Sequence, residues 1–374
     1  MHPATSPALL ALSPSHGPVM PAVPAAVDAV RPTGRRRPPA TLSLVVTLLL
    51  LGAAIPRSEP AGSPETDPGS ATATSDAVDA DASAAGATLD DLTLHHRQDP
   101  ARTVVEDADG AWVATFTSGA RTVTLAGPER RFTEEAASHD VVSRTWVRVL
   151  DEPFDGDIDP RWLDAARTDT APDVLEVAMG FLPGAPEVRD DAGVLMSGEA
   201  AYGPLQADGT RPVGADWHDY QQVTATYGDD VKTPDPAEAG ALDCSGYIRI
   251  VWGVHHDVPM TSRADGGASL PRISRVQADQ GPGIASVAGD EGDGTRITDL
   301  GSLQPGDLVF FAASDRVEGI DHVGMYLGPD EAGRHRFISS RSSNNGPTMG
   351  DHRGPSLLDG DGLYARTFVA TRRL

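Results

Sequence analysis

The sequence predicts an α+β protein, and three observations carry that prediction. Residues 98–153 hold strand-like runs separated by turn dipeptides, apolar positions recur at helical spacing after Asp173 and Asp243, and residues 322–328 alternate as a strand does. The 31 Pro and 39 Gly add that a substantial part of the 374 residues stays outside any packed core.

The chain opens with residues 1–40, rich in Pro and Ala, which end in Gly34-Arg35-Arg36-Arg37. The apolar run that follows, Thr41 to Ala54, closes on small residues. A basic patch before an apolar run of about 15 residues is the pattern of an export leader, shorter than a spanning helix. Residues 1–55 are therefore expected to be a signal peptide or a membrane anchor, the anchored form holding the chain at a membrane through residues 41–55. Residues 56–97 carry Pro56, Pro60, Pro64 and Pro68 among small and acidic residues. They have too little apolar surface to offset chain entropy and are expected to form a disordered tether. The expected location is extracellular or at the cell surface.

Residues 98–153 contain Thr103-Val104-Val105, Trp112 to Phe116, Thr122 to Leu125 and Val141 to Leu150, with Asp109-Gly110 and Ser118-Gly119 at hairpin spacing. A small β-rich module of three or four strands follows. Two roles stand open for it, a wall-binding module or a packing cap on the next domain. Thr170-Ala171-Pro172-Asp173 then caps a helix running through Val174, Val177, Ala178 and Phe181, and a catalytic domain is expected over residues 170–374.

Chemistry concentrates around the only cysteine, Cys244, whose single copy excludes an intramolecular disulfide. Asp243 suits a helix N-cap, Ile248, Val251 and Trp252 form an apolar stripe, and Gly253 suits a helix stop. The thiol thus falls in a first helical turn, where unpaired N–H groups favour an anion and should lower its pKa. A cysteine nucleophile needs a base, and among 11 histidines the local pattern favours His322. In His322-Val323-Gly324-Met325-Tyr326-Leu327-Gly328, the imidazole shares a strand face with Gly324 and Tyr326, opposite Val323, Met325 and Leu327. His255 and His256 fall in a loop and suit solvated surface positions, and the ligand-pair spacing of a zinc site is absent.

Three ordered blocks carry a resemblance. Asp243-Cys244-Ser245-Gly246-Tyr247, Leu303-Gln304-Pro305-Gly306-Asp307-Leu308-Val309-Phe310-Phe311 and His322 to Gly328 resemble the signature blocks of the NlpC family of papain-like cell-wall cysteine peptidases. The ending, Phe368 to Leu374, is similar to that family's final strand. The resemblance implies an α+β, papain-like domain in which the cysteine helix packs on an antiparallel sheet. It also implies Cys244 as nucleophile, His322 as general base, no cofactor or metal, and peptidoglycan stem peptides as substrate, often cut between D-glutamate and a diamino acid. Family members hold the imidazole with a third polar residue, commonly His, Asn or Gln. The aligned position is Ser339, with Ser340, Asn344, Asn345 and His335 as rivals. An aromatic-Gly turn before the cysteine corresponds to Tyr202-Gly203 or Tyr227-Gly228.

Two other classes stand beside this expectation: a Cys–His acyltransferase or amidase acting on a non-wall substrate, and a non-catalytic wall-binding scaffold. Nucleic acid is excluded as a partner. The net charge is −24 and Lys232 is the only lysine, whereas phosphate binding needs clustered cations.

Overall fold

A computed structural model describes residues 91–263, 267–287, 295–314 and 317–374. The leader, the candidate anchor at 41–55 and the tether up to residue 90 lie outside these residues. Contacts divide the chain into Met1–Asp79 and Ala80–Leu374, so everything described belongs to the second unit. No helix among the described residues is long and apolar enough to cross a membrane.

The first sheet is an antiparallel meander of five strands in chain order: β1 Thr93–Arg97, β2 Arg102–Glu106, β3 Trp112–Thr117, β4 Thr122–Phe132 and β5 Val141–Val149. Gly110 and Gly119 take φ of +76° and +81° in the β2–β3 and β3–β4 turns, a conformation that glycine adopts without steric cost. The sheet has one strand more than the runs suggested. β1 begins at Thr93, inside the stretch expected to be tether, because pairing with β2 satisfies a segment too polar to be read as a strand.

Two helices follow, α1 Pro160–Thr168, capped by Asp159, and α2 Val174–Met179, capped by Asp173. The loop-rich span contains the short strands β6 Val188–Arg189 and β7 Leu195–Ser197, helix α3 Trp217–Gln221, and strands β8 Ala225–Tyr227 and β9 Asp230–Lys232. Helix α4, Cys244–Arg249, comes next and runs directly into a π-helical turn over Ile250–Val254, then α5 Ser274–Gln280. Gly253 therefore does not stop the helix. A Cβ there would fall 2.3 Å from Met260 Sδ, so the glycine serves close packing.

The second sheet is built from β10 Leu308–Phe311, β11 His322–Pro329, β12 His335–Arg341, β13 Gly346–Thr348 and, after α6 Leu363–Thr367, β14 Phe368–Arg372. Its order is β13-β12-β11-β10-β14, antiparallel throughout. The strand β11 is buried on both faces and splits as its alternation predicts. Val323, Met325 and Leu327 join the core with Tyr247, Ile248 and Trp252 of the cysteine helix, while Tyr326 joins Phe311, Phe337, Tyr364 and Phe368 on the far side. The domain is thus α+β, a helix on an antiparallel sheet preceded by a β-rich region.

The first sheet packs into the same core. Phe132, Val141 and Val147 belong to the cluster that contains α2, α4 and β11. Asp173, with no exposed surface, ties the regions together: its carboxylate accepts from Arg130 at 2.5 and 2.7 Å, from the Val147 N–H at 2.6 Å and from the Glu176 N–H that it caps. Glu134, between β4 and β5, accepts from Thr348 Oγ1 and the Met349 N–H, both at 2.6 Å.

Candidate active site

Asp243 fixes the start of α4. Its side chain accepts from the Gly246 N–H at 2.8 Å, the bond of an N-cap, and from Arg272 through both oxygens, the shorter contact being 2.7 Å. Ser340 Oγ donates to Leu242 O at 2.6 Å and so ties β12 to the segment entering the helix. Behind the first turn lies a buried charge layer. Arg249, fully buried, donates through Nε to Asp216, and Arg272 lies between Asp216 and Asp243. Burial alone would raise the Asp216 carboxyl, but Arg249, His218 and Arg272 together bring it down to about 2, so this layer stays ionised at neutral pH.

These braces hold Cys244 against β11, with the thiol facing the backbone N–H of Val323 and that of Ser245. The expectation of a lowered thiol pKa does not hold. Cys244 is 3% exposed, and burial, followed by the Asp243 charge, pushes the thiol up to about 12. The helix terminus is a local influence worth a fraction of a kcal/mol to about 2, and desolvation of a buried thiolate outweighs it.

His322, adjacent to Val323, opens β11 beside the thiol. Its Nε2 lies 3.1 Å from Ser339 Oγ across the sheet. The ring packs against Phe311 and Tyr364, with centroids 5.8 and 5.4 Å away. Burial and then the Arg341 charge lower the imidazole to about 3. The resting pair is therefore a thiol and a neutral imidazole.

The structure brings His322 and Ser339 into contact, sets Cys244 against Val323, the residue after His322, and engages the rivals for the third position elsewhere. Ser340 is engaged with Leu242, and His335 Nδ1 meets Tyr326 Oη at 2.7 Å. Asn344 donates to His352 O, and Asn345 Oδ1 accepts from the Tyr202 N–H at 3.3 Å. Of the two aromatic-Gly turns, Tyr202 is the one beside the site. Burial and the nearby Cys244 both raise its phenol pKa, whereas Tyr227 bonds to Arg249 and to Trp217 Nε1. His255 and His256 are half-buried and not fully solvated: His255 Nε2 reaches Met196 O at 2.9 Å, and His256 packs against Trp252. Among the described residues no group of three or more His, Cys, Asp or Glu side chains converges as metal ligands.

Sequence reasoning missed Arg272, Arg341 and Tyr364. No local pattern announces a buried arginine, whose partners come from distant segments. A broad cleft among the described residues lies elsewhere, lined by Phe132, Glu135, Trp146, Met179, Pro183 and His352. It opens between the first sheet and α2, away from the thiol.

A cysteine at a helix start packed on a strand that begins with histidine is the arrangement of a papain-like cysteine hydrolase. Residues 227–356 match the NlpC/P60 family, and the chain carries an NlpC-type domain. Among solved structures it is similar to an NLP/P60-family protein, described as similar to lipoprotein, from Staphylococcus aureus subsp. aureus Mu50. The identity is 16% and the TM-score 0.23, over 60% of this chain and 50% of that one, so this chain spans about half of that protein. It is also similar to an NlpC/P60 family protein from Bacillus cereus ATCC 10987, at 15% identity and TM-score 0.26, over 75% of this chain and 78% of that one. No curated protein matches the chain.

Proposed function

We propose that the domain over residues 170–374 is an exported cysteine peptidase that hydrolyses amide bonds in peptidoglycan stem peptides, between D-glutamate and a diamino acid. The observation that supports it best is the juxtaposition of Cys244 with β11, where His322 meets Ser339 at 3.1 Å. In this reading Cys244 Sγ attacks the scissile carbonyl carbon as its proton passes to His322. The imidazolium then protonates the leaving amine, the C–N bond breaks, and a thioester remains. Water attacks the thioester with His322 as base, releasing the carboxylic product and restoring the thiol. The N–H at the start of α4 would stabilise the oxyanion. Because the resting pair is neutral, proton transfer accompanies attack and does not precede it. Residues 1–55 as leader or anchor and the segment after them as tether would deliver the enzyme to the wall.

The test is mass spectrometry of purified peptidoglycan incubated with the full chain. New stem fragments that disappear with Cys244→Ala are expected; fragments that persist in that variant sink the reading.

One observation favours a second reading, a wall-binding scaffold without turnover. The thiol is 3% exposed, and a serine stands where a longer polar residue is usual. That reading predicts sedimentation of the chain with peptidoglycan, unchanged by Cys244→Ala, and no fragments.

A further inference from the structure

Arg341, the last residue of β12, has a side chain that is 2% exposed. Its Nε donates to Ser339 Oγ at 3.0 Å, Nη1 to Gly354 O at 2.9 Å and Nη2 to Ser356 Oγ at 2.6 Å. The guanidinium also lies over the rings of Tyr364 and Phe337, 4.2 and 5.2 Å from their centroids. All three acceptors are neutral, so a full positive charge is buried without a bonded anion. Such an arrangement is costly to build and acts strongly on its neighbours. Ser339 Oγ is the atom it shares with His322 Nε2, at 3.0 and 3.1 Å respectively.

We propose that Arg341 is a positioning residue for His322: it locks the Ser339 hydroxyl at Nε2 and holds a positive charge beside the ring, keeping the imidazole neutral until the thiol releases its proton. This rests on the Cys–His reading of the site. Arginine can only donate, so it occupies one lone pair of Ser339 Oγ; with the other lone pair accepting the Nε2–H, Nδ1 is left unprotonated and able to take a proton. A carboxylate in the third position would stabilise the imidazolium; Arg341 does the reverse and favours a proton that moves only during attack.

The groups around the ring are few. Among the described residues, Tyr364 comes from α6, Arg341 and Ser339 from β12, and uncharged Phe311 from β10, while Cys244 of α4 acts on Tyr364 and lies against the N–H of Val323, the next residue. Asp321, next in the chain, turns its carboxylate to the Ala313 N–H at 2.6 Å. Burial and Arg341 both act to lower the imidazole, in keeping with this geometry.

Histidine Cε1–H titration by NMR on the full chain tests the proposal, with the resonance assigned through His322→Gln. In the native protein His322 is expected not to titrate between about pH 5 and 8; a midpoint near the ordinary 6.5 overturns the proposal. Arg341→Met should raise the His322 pKa by at least about one unit, a tenfold change in proton affinity, while Arg341→Lys, which keeps the charge, should move it by less than about half a unit. A native-like midpoint in folded Arg341→Met overturns it. If that variant does not fold, Arg341→Gln, which removes the charge and keeps a hydrogen-bonding side chain, takes its place with the same expected shift and the same overturning result. None of these readouts depends on turnover, so an absence of muropeptide cleavage would count against the peptidase reading alone.

Discussion

Alkylation of Cys244 probes the resting site most directly. Relative to a thiol of pKa 9.0, a value pushed up to about 12 lowers the thiolate fraction at neutral pH about a thousandfold. A more basic thiolate is also a better nucleophile, and a Brønsted coefficient of about 0.4–0.5 returns roughly 15- to 30-fold over three units. The net expectation is labelling by iodoacetamide about 30- to 60-fold slower than in the denatured chain, and slower still because the sulfur is 3% exposed. The rate should climb about tenfold per pH unit through the neutral range, since the thiolate fraction does. Intact-mass spectrometry of the native and the denaturant-unfolded chain, run in parallel, gives both rates. Native labelling as fast as unfolded labelling, or a plateau at neutral pH, would show a preformed thiolate–imidazolium pair and refute the reasoning.

Other expectations concern stability. The folded values of His322, about 3, and His256, about 4, lie below the ordinary 6.5, so between those limits the unfolded chain binds more protons. Their contribution is complete above about pH 6.5 and is lost as pH falls toward the folded values, at most on the order of 5 kcal/mol for His322 and about 3 kcal/mol for His256; urea midpoints that stay flat from about pH 4 to 7 would contradict this. Asp173→Asn removes the buried carboxylate that binds Arg130, leaving only the more distant Glu176, and should cost about 3–5 kcal/mol in urea unfolding; a loss below about 1 kcal/mol would show that the pair is dispensable. Two glycines should rank clearly by melting temperature. Gly253→Ala meets the flexible Met260 side chain and should cost about 1–3 kcal/mol, whereas Gly283→Ala, at φ +83° and 1.9 Å from Arg373 O, should cost more.

What could be read from the sequence was what local physics decides. Asp243 caps α4 as expected because an N-cap bonds only three residues onward, and β11 divides its side chains between two cores because alternation is a property of the strand itself. Helix α1 went unread although Asp159-Pro160 marks its start, since its single buried residue, Leu163, leaves almost no apolar periodicity. Gly253 looked like a stop because the packing that explains it comes from Met260. The direction of the thiol shift was missed for a related reason. A helix terminus is visible in the chain, but the burial that overrides it is assembled from β11, Tyr202 and Arg272. The family resemblance points to Ser339 on β12, whereas nothing in the sequence singles out Arg341, two residues further on, because its partners Gly354, Ser356 and Tyr364 come from later segments.

Arg373 draws a consequence from the way the two sheets meet. Its guanidinium, fully buried, binds Asp307 through Nε and Nη2 at 2.7 and 2.8 Å and reaches back through Nη1 to Thr117 Oγ1 in β3, 256 residues earlier. Nearby, the Thr122 N–H and hydroxyl donate to Leu374 O at 2.7 and 2.6 Å. Sheets so stitched together are expected to melt together. Residues 91–374 should unfold as one cooperative transition, and a fragment starting at residue 170 would uncover Phe132's and Val147's partners in the core while stranding the Asp173 carboxylate. In folding terms the first sheet shares its core with the peptidase-like domain, and its removal should destabilise that domain.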